Sequence, residues 1–202
     1  MPENTAAIVD FLFEVGILAQ TPRSGFAYLG VAPDHQSVSE HILRTVYIGY
    51  TLAKMEKVDT AKVIQMCLFH DLGEARTSDL SWLQQKYDTA DESRAVDDAT
   101  KHLPFGADIR ELYKEYEERE SKESIVAKDA DSLELLLSLR ELADSGNRKG
   151  ESWIPSLLQR IKTKSGKKLS QKILKTPSDN WWFGNKNDDW WLNRNKKSPH
   201  AK

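Results

Sequence analysis

The segment spanning residues 121–144 constrains the fold of this chain more than any other. Its Ile125, Val126, Ala130, Leu133, Leu135, Leu136, Leu137, Leu139 and Leu142 surround a helix instead of lining one stripe. A helix that is apolar all round is buried all round, so the rest of the chain must wrap it. Ser145-Gly146-Asn147 ends the segment, with Gly146 suited to a left-handed cap. Asp131 is the anomaly in this run, because an unpaired carboxylate in an apolar interior is costly.

Elsewhere apolar residues recur at three- and four-residue spacing without sustained alternation, which predicts an all-α fold. Ile8, Phe11, Leu12, Val15 and Leu18 mark a first amphipathic helix that stops at Thr21-Pro22, since the residue before proline disfavours helical geometry. A loop through residues 23–30 follows. Ser37-Val38-Ser39-Glu40 has the form of a capping box and opens a second helix carrying His41, Leu43, Val46, Ile48 and Leu52. Asp59 or Thr60 caps a third, expected to run to about Glu74, with a loop at Arg76-Thr77-Ser78-Asp79. Further helices are expected at about 90–103, 107–119, 153–163 and 166–174.

With 202 residues, 39% apolar and 30% charged, one soluble domain is the expectation, its motif-bearing part at about 5–145 and its C-terminal helices and tail at about 150–202. The single cysteine, Cys67, excludes an intrachain disulfide and points to a reducing, cytoplasmic setting, with no membrane span expected. Charge is uneven: residues 1–146 hold 15 Lys and Arg against 27 Asp and Glu, whereas 147–202 hold 14 against 4. Such a basic end suits a nucleic acid or an anionic surface, but docking on the acidic body or simple solvation is the commoner use, so nucleic acid is the minor reading.

The chemistry begins at His70-Asp71, which closes the apolar run Val63-Ile64-Gln65-Met66-Cys67-Leu68-Phe69. An imidazole nitrogen beside a carboxylate offers two ligands to a divalent metal. His41 from the second helix and Asp131 from the central one complete a candidate set of four. Two imidazoles with two carboxylates suit Mn, Fe, Co, Ni or Zn over Mg or Ca, which prefer oxygen. The plainer alternative keeps His41 and His70 as hydrogen-bonded interior histidines and Asp131 as the partner of an Arg or Lys. Glu74, four residues after His70 and three after Asp71, is expected on the same helix surface as both, where a general acid or base would act. Alone, Glu74 would equally be an exposed helix-end carboxylate.

The order His41, His70-Asp71, Asp131 resembles the HD-domain metal-dependent phosphohydrolases. Pro22-Arg23-Ser24-Gly25-Phe26, Ser37-Val38-Ser39-Glu40-His41, Leu68-Phe69-His70-Asp71-Leu72-Gly73-Glu74, Ser78-Asp79-Leu80 and Lys128-Asp129-Ala130-Asp131 are similar to successive blocks of its small 5'-deoxynucleotidase branch, over roughly residues 5–145. The resemblance implies an all-α globule, commonly a homodimer, that hydrolyses deoxyribonucleoside 5'-monophosphates to deoxyribonucleoside and phosphate. It implies that His41, His70, Asp71 and Asp131 hold the metal, that Glu74 manages the proton, and that Asp79 contacts sugar or attacking water. Arg23 would bind the 5'-phosphate, for which its planar fork is suited. Leu29-Gly30 departs from the branch where a basic or polar residue is often found, which shifts phosphate binding toward Arg23 or Lys128. Ser81-Trp82-Leu83 also looks particular to this chain.

Two rivals stand beside this reading. Alarmone hydrolases of the same family tend to follow the His-Asp doublet with Glu-Asp, whereas this chain has Glu74-Ala75. A two-metal phosphodiesterase would need further histidines, but His35 and His102 lie outside the blocks and His200 is in the tail. The other rival is a metal-stabilised module whose Trp-rich end binds nucleic acid or protein. That end, Asn180-Trp181-Trp182-Phe183 with Asp189-Trp190-Trp191-Leu192, flanked by Lys186, Arg194, Lys196 and Lys197, is expected to fold over its own domain or a dimer partner, with disorder after about Asn195.

Overall fold

A computed structural model of the chain describes residues 4–32 and 34–193. Among them there are helices and turns but no strand; the one extended pairing is an isolated bridge between Pro22 and Ser37. The all-α expectation therefore holds. Helix α1 covers Thr5–Ile17, and a 3-10 turn at Ser24–Leu29 occupies the stretch expected to be loop. Helices α2 (Val38–Glu56), α3 (Thr60–Phe69) and α4 (Glu74–Thr77) follow, then α5 (Glu92–Thr100) and α6 (Gly106–Glu118). Helix α7 is Lys122–Asp144, α8 Ile154–Arg160 and α9 Lys164–Ile173, with the short α10 (Asn180–Phe183) and α11 (Asp189–Asn193) at the end.

Helix α7 is the axis of the fold. Val126, Ala127, Ala130, Leu133, Leu136, Leu139 and Leu142 are buried on it, and α2 and α3 pack against it more extensively than any other helix does. Local chemistry sets where those two neighbours begin. Ser37 Oγ accepts from the Glu40 amide while Glu40 Oε2 accepts from the Ser37 amide at 2.7 Å, which closes the expected capping box. Asp59 accepts from the amides of Ala61 and Lys62 and starts α3. Close approach of α2 to α3 depends on Gly49, because a Cβ there would stand 2.6 Å from Cys67 Sγ. This contact brings the His41 face of α2 within reach of the end of α3.

Three expectations need correction. Helix α3 stops at Phe69 rather than near Glu74; residues 70–73 form a turn, and Glu74 opens the separate helix α4. A single helix surface shared by His70, Asp71 and Glu74 therefore does not exist. The stretch expected as loop at 76–79 is partly this helix, and it ends at Ser78 with φ 62°. Finally, of the two arrangements expected for the Trp-rich segment, over its own domain or across a dimer partner, the first is not seen among the described residues. Trp182, Phe183 and Trp191 pack on one another with ring centroids 5.2–5.5 Å apart, and Trp181 remains 86% exposed. The disorder expected after Asn195 lies outside the described residues.

Candidate metal centre

Helix α2, the turn that follows α3 and the central α7 each contribute to one cluster. His41 Nε2 lies 3.2 Å from His70 Nε2, 3.5 Å from Asp71 Oδ2 and 3.4 Å from Asp131 Oδ1. His70 Nε2 is 3.1 Å from Asp71 Oδ2. The donor atoms of His41, His70 and Asp71 all fall within 4.8 Å of one another, and Asp131 joins them through its contact with His41. The structure thus brings together all four residues singled out from the sequence. Both imidazoles are fully or almost fully buried.

The other ring nitrogens explain why these four suit a cation. His41 Nδ1 is 2.7 Å from Glu134 Oε2, and His70 Nδ1 is 2.9 Å from the Cys67 carbonyl. A carboxylate and a carbonyl can only accept, so each Nδ1 carries hydrogen and each Nε2 of a neutral ring presents a lone pair. Two lone pairs 3.2 Å apart, facing two carboxylates, repel unless a positive charge lies between them. The pair draws positive charge: against burial and Arg23, which lower it, Asp131 and Glu134 push His41 up to about 9. A divalent ion would serve as well, and a buried carboxylate or carbonyl behind each imidazole is the usual outer support of a histidine ligand.

The carboxylates are held ionised. Burial would raise Asp71, but His70, His41 and Arg23 keep it well below the ordinary range. Asp131 is likewise held low against burial, chiefly by Lys128, whose Nζ lies 3.2 Å from its Oδ2, and by His41. Glu74 behaves in the opposite way. It is buried, and Oε2 has no hydrogen-bond partner among the described residues. Burial, reinforced by Asp71, pushes it up to about 10, so it carries a proton at neutral pH. The alternative of an exposed helix-end carboxylate is excluded by this burial.

Arg23 and Asp79 stand beside the cluster. Arg23 Nη1 lies 3.2 Å from Asp71 Oδ2 and 3.6 Å from Asp79 Oδ1, while the Ser24 amide donates to Asp79 Oδ2 at 2.5 Å. Lys128 also donates to Tyr116 Oη at 2.9 Å and sits 4.7 Å from that ring's centroid. Every residue singled out, His41 excepted, lines one cavity of about 580 Å³, which His41 adjoins through its ring contacts. Sequence reasoning missed Glu134, fully buried and also accepting from Gln36 Nε2 at 2.8 Å, and Glu92, which lines the same cavity. The signal for Glu134 in the sequence is its place three residues after Asp131 on a helix expected to be buried all round, a signal that names no partner.

Comparison with known proteins places these residues in a family context. Residues 15–173 match the HD domain family. The 5'-deoxynucleotidase HDDC2 of Dictyostelium discoideum is 31% identical over 147 residues, covering 66% of this chain and 76% of that protein. The human protein of the same name is 27% identical, covering 71% and 72%. Among solved structures, a conserved hypothetical protein from Pyrococcus furiosus superposes with a TM-score of 0.70 at 26% identity, over 83% of this chain and 99% of that one.

Proposed function

The chain belongs to the HD-domain family, and on that footing we propose that it is a metal-dependent 5'-deoxynucleotidase, releasing phosphate from deoxyribonucleoside 5'-monophosphates. The relatives named 5'-deoxynucleotidase support the activity, and one observation carries it to this chain's own residues. A buried Glu74, its Oε2 without a hydrogen-bond partner among the described residues, shares a cavity with the His and Asp cluster and with Arg23. That is the equipment for cleaving a phosphomonoester: charge for the phosphoryl group and a proton for the leaving oxygen.

In this reading His41, His70, Asp71 and Asp131 hold a divalent transition ion, with Mn, Co, Fe, Ni and Zn all compatible with two imidazoles. When bound, the ion offsets phosphoryl charge and acidifies water in the site. Arg23 grips the non-bridging phosphate oxygens, with Lys128 as a second positive charge on the same wall. Asp79 holds the Ser24 amide and the Arg23 fork in position and faces the sugar or the attacking water. As water oxygen bonds to phosphorus and the bond to O5' breaks, Glu74 delivers its proton to O5', and the proton that the attacking water gives up returns to the Glu74 carboxylate once the deoxyribonucleoside has left.

The whole chain is read as one domain, acting in the cytoplasm, where the buried thiol of Cys67 suits a reducing setting. No helix among the described residues is long and apolar enough to cross a membrane. The exposed Leu43, Tyr47 and Tyr50, on one face of α2, offer a surface for a second copy of the chain, so a homodimer is part of the proposal. The deciding experiment strips the protein with a chelator, restores each divalent ion in turn, and measures phosphate release from deoxy- and ribonucleoside 5'-monophosphates. Metal-dependent release with a preference for the deoxy series is expected; undiminished release without metal would overturn the reading.

A further inference from the structure

The cavity that begins at Asp71 and Asp131 continues to a wall of a different kind. Trp82, Leu83, Trp153, Leu157 and Arg160 line it there. The Trp82 and Trp153 rings meet at 5.4 Å with an interplanar angle of 44°, a tilt that leaves an open wedge instead of a closed stack. Arg160 sets its guanidinium carbon 5.3 Å from the Trp82 centroid, a cation–π contact that holds the ring and places hydrogen-bond donors at the cavity's end. Trp82 is nonetheless 41% exposed, a costly state for so large an apolar group.

The aromatic corner is tied to the phosphate side through Gly25. A Cβ at Gly25 would lie 3.9 Å from the six-membered ring of Trp153, so that ring rests against the 3-10 turn that begins next to Arg23. A ligand gripped by Arg23 at one end and by the four-residue cluster has its remaining atoms directed along a cavity whose other walls include Glu92 and Glu117. Those carboxylates offer no flat apolar face, and of the cavity's other rings Phe26 is buried against His35 and Tyr116 is buried under Lys128, which leaves Tyr28 and the Trp82 corner as accessible aromatic faces. We infer that the nucleobase of the substrate stacks on Trp82, in the wedge that Trp82 forms with Trp153 and Arg160. Trp82 is then a specificity-determining residue, selecting phosphomonoesters that carry an aromatic heterocycle.

This inference rests on the nucleotidase reading, and the test separates the two. The metal-reconstituted full chain and its Trp82→Ala and Trp82→Phe variants are assayed with deoxyadenosine 5'-monophosphate and with deoxyribose 5-phosphate, which lacks only the base. Trp82→Ala is expected to raise KM for the nucleotide roughly tenfold with little change in kcat, the usual worth of one stacked base. It should leave deoxyribose 5-phosphate unaffected, and Trp82→Phe should restore most of the loss. Equal changes on both substrates, or none on either, would overturn the inference while leaving the nucleotidase reading intact. A titration with deoxyadenosine, read by tryptophan fluorescence, supplies the independent arm. Saturable quenching that disappears in Trp82→Ala is expected, and it would uphold the base site even in a protein that hydrolysed no nucleotide. Identical quenching in both proteins would sink it.

Discussion

The meeting point of α2, α3 and α7 and the C-terminal arm at residues 180–193 invert each other. In the first, histidines and carboxylates are driven into the interior and held there by partners such as Glu134, Lys128 and Arg23. In the second, indole rings remain outside, partnered mainly by one another. Buried charge is tolerated only where pairing or a bound ion meets its desolvation cost, so it marks a place kept for chemistry. Exposed rings carry a smaller penalty and mark a surface. The first region is therefore legible from its geometry as a candidate reaction centre, whereas the second speaks only of contact.

The sharpest way to break this contrast is to remove a proposed metal ligand. Asp71→Ala or Asp131→Ala should lose bound metal by elemental analysis and drop turnover to background, since an uncompensated pair of imidazoles no longer holds the ion. Retained metal at full stoichiometry would return that aspartate to an ion-pair role. Glu74→Gln comes next: it keeps the shape and the metal but has no proton to give, and kcat should fall by roughly 10²–10⁴ with KM little changed. An equally active variant would remove Glu74 from the reaction.

A smaller effect is expected behind the ligands. Glu134→Ala frees His41 Nδ1 from its 2.7 Å partner, and metal affinity should weaken by roughly 10–100-fold in a competition titration with a chelator. An unchanged affinity would mean that the carboxylate serves only the packing of α7. The smallest change belongs to the arm. Ending the chain before Asn180 should shift unfolding free energy by less than about 0.5 kcal/mol in dilute solution and leave metal content unchanged. A larger loss that grows with protein concentration would instead place the tryptophans between two copies of the chain.

How much of this was open to sequence reading follows from the range of the forces involved. Capping and periodicity are local, so the starts of α2 and α3 at Ser37 and Asp59 and the burial of α7 were visible along the chain. So was the assembly of His41, His70, Asp71 and Asp131, once the family resemblance supplied the pairing of distant segments. The end of α3 at Phe69 was not, because His70, Asp71 and Leu72 carry no breaker. That turn is stabilised from afar: Gly73 passes so near α5 that a Cβ would lie 3.0 Å from the Glu92 carbonyl. Glu134 escaped because a single acid in a run of leucines reads as noise until its partner, 93 residues earlier, is in view. The arm's neighbour was not legible because a count of tryptophans says how much area they offer and not what covers it.

Asp129 carries a consequence for the order in which the molecule assembles. Two residues before Asp131 on α7, it is buried and accepts from the Lys162 and Thr163 amides, both at 2.8 Å, and from Thr163 Oγ1 at 2.7 Å. Those donors leave the ribosome more than thirty residues after the carboxylate does. Until they arrive, α7 carries an unsatisfied charge on the face it must bury, and the helix has reason to stay undocked. Asp131 on its opposite side, a proposed metal ligand, is then set in place only when the C-terminal helices close over Asp129. On that proposed ligand set, ion capture is expected late in maturation, and nascent chains halted before residue 162 should hold the ion far less tightly than the finished protein in an equilibrium-dialysis comparison.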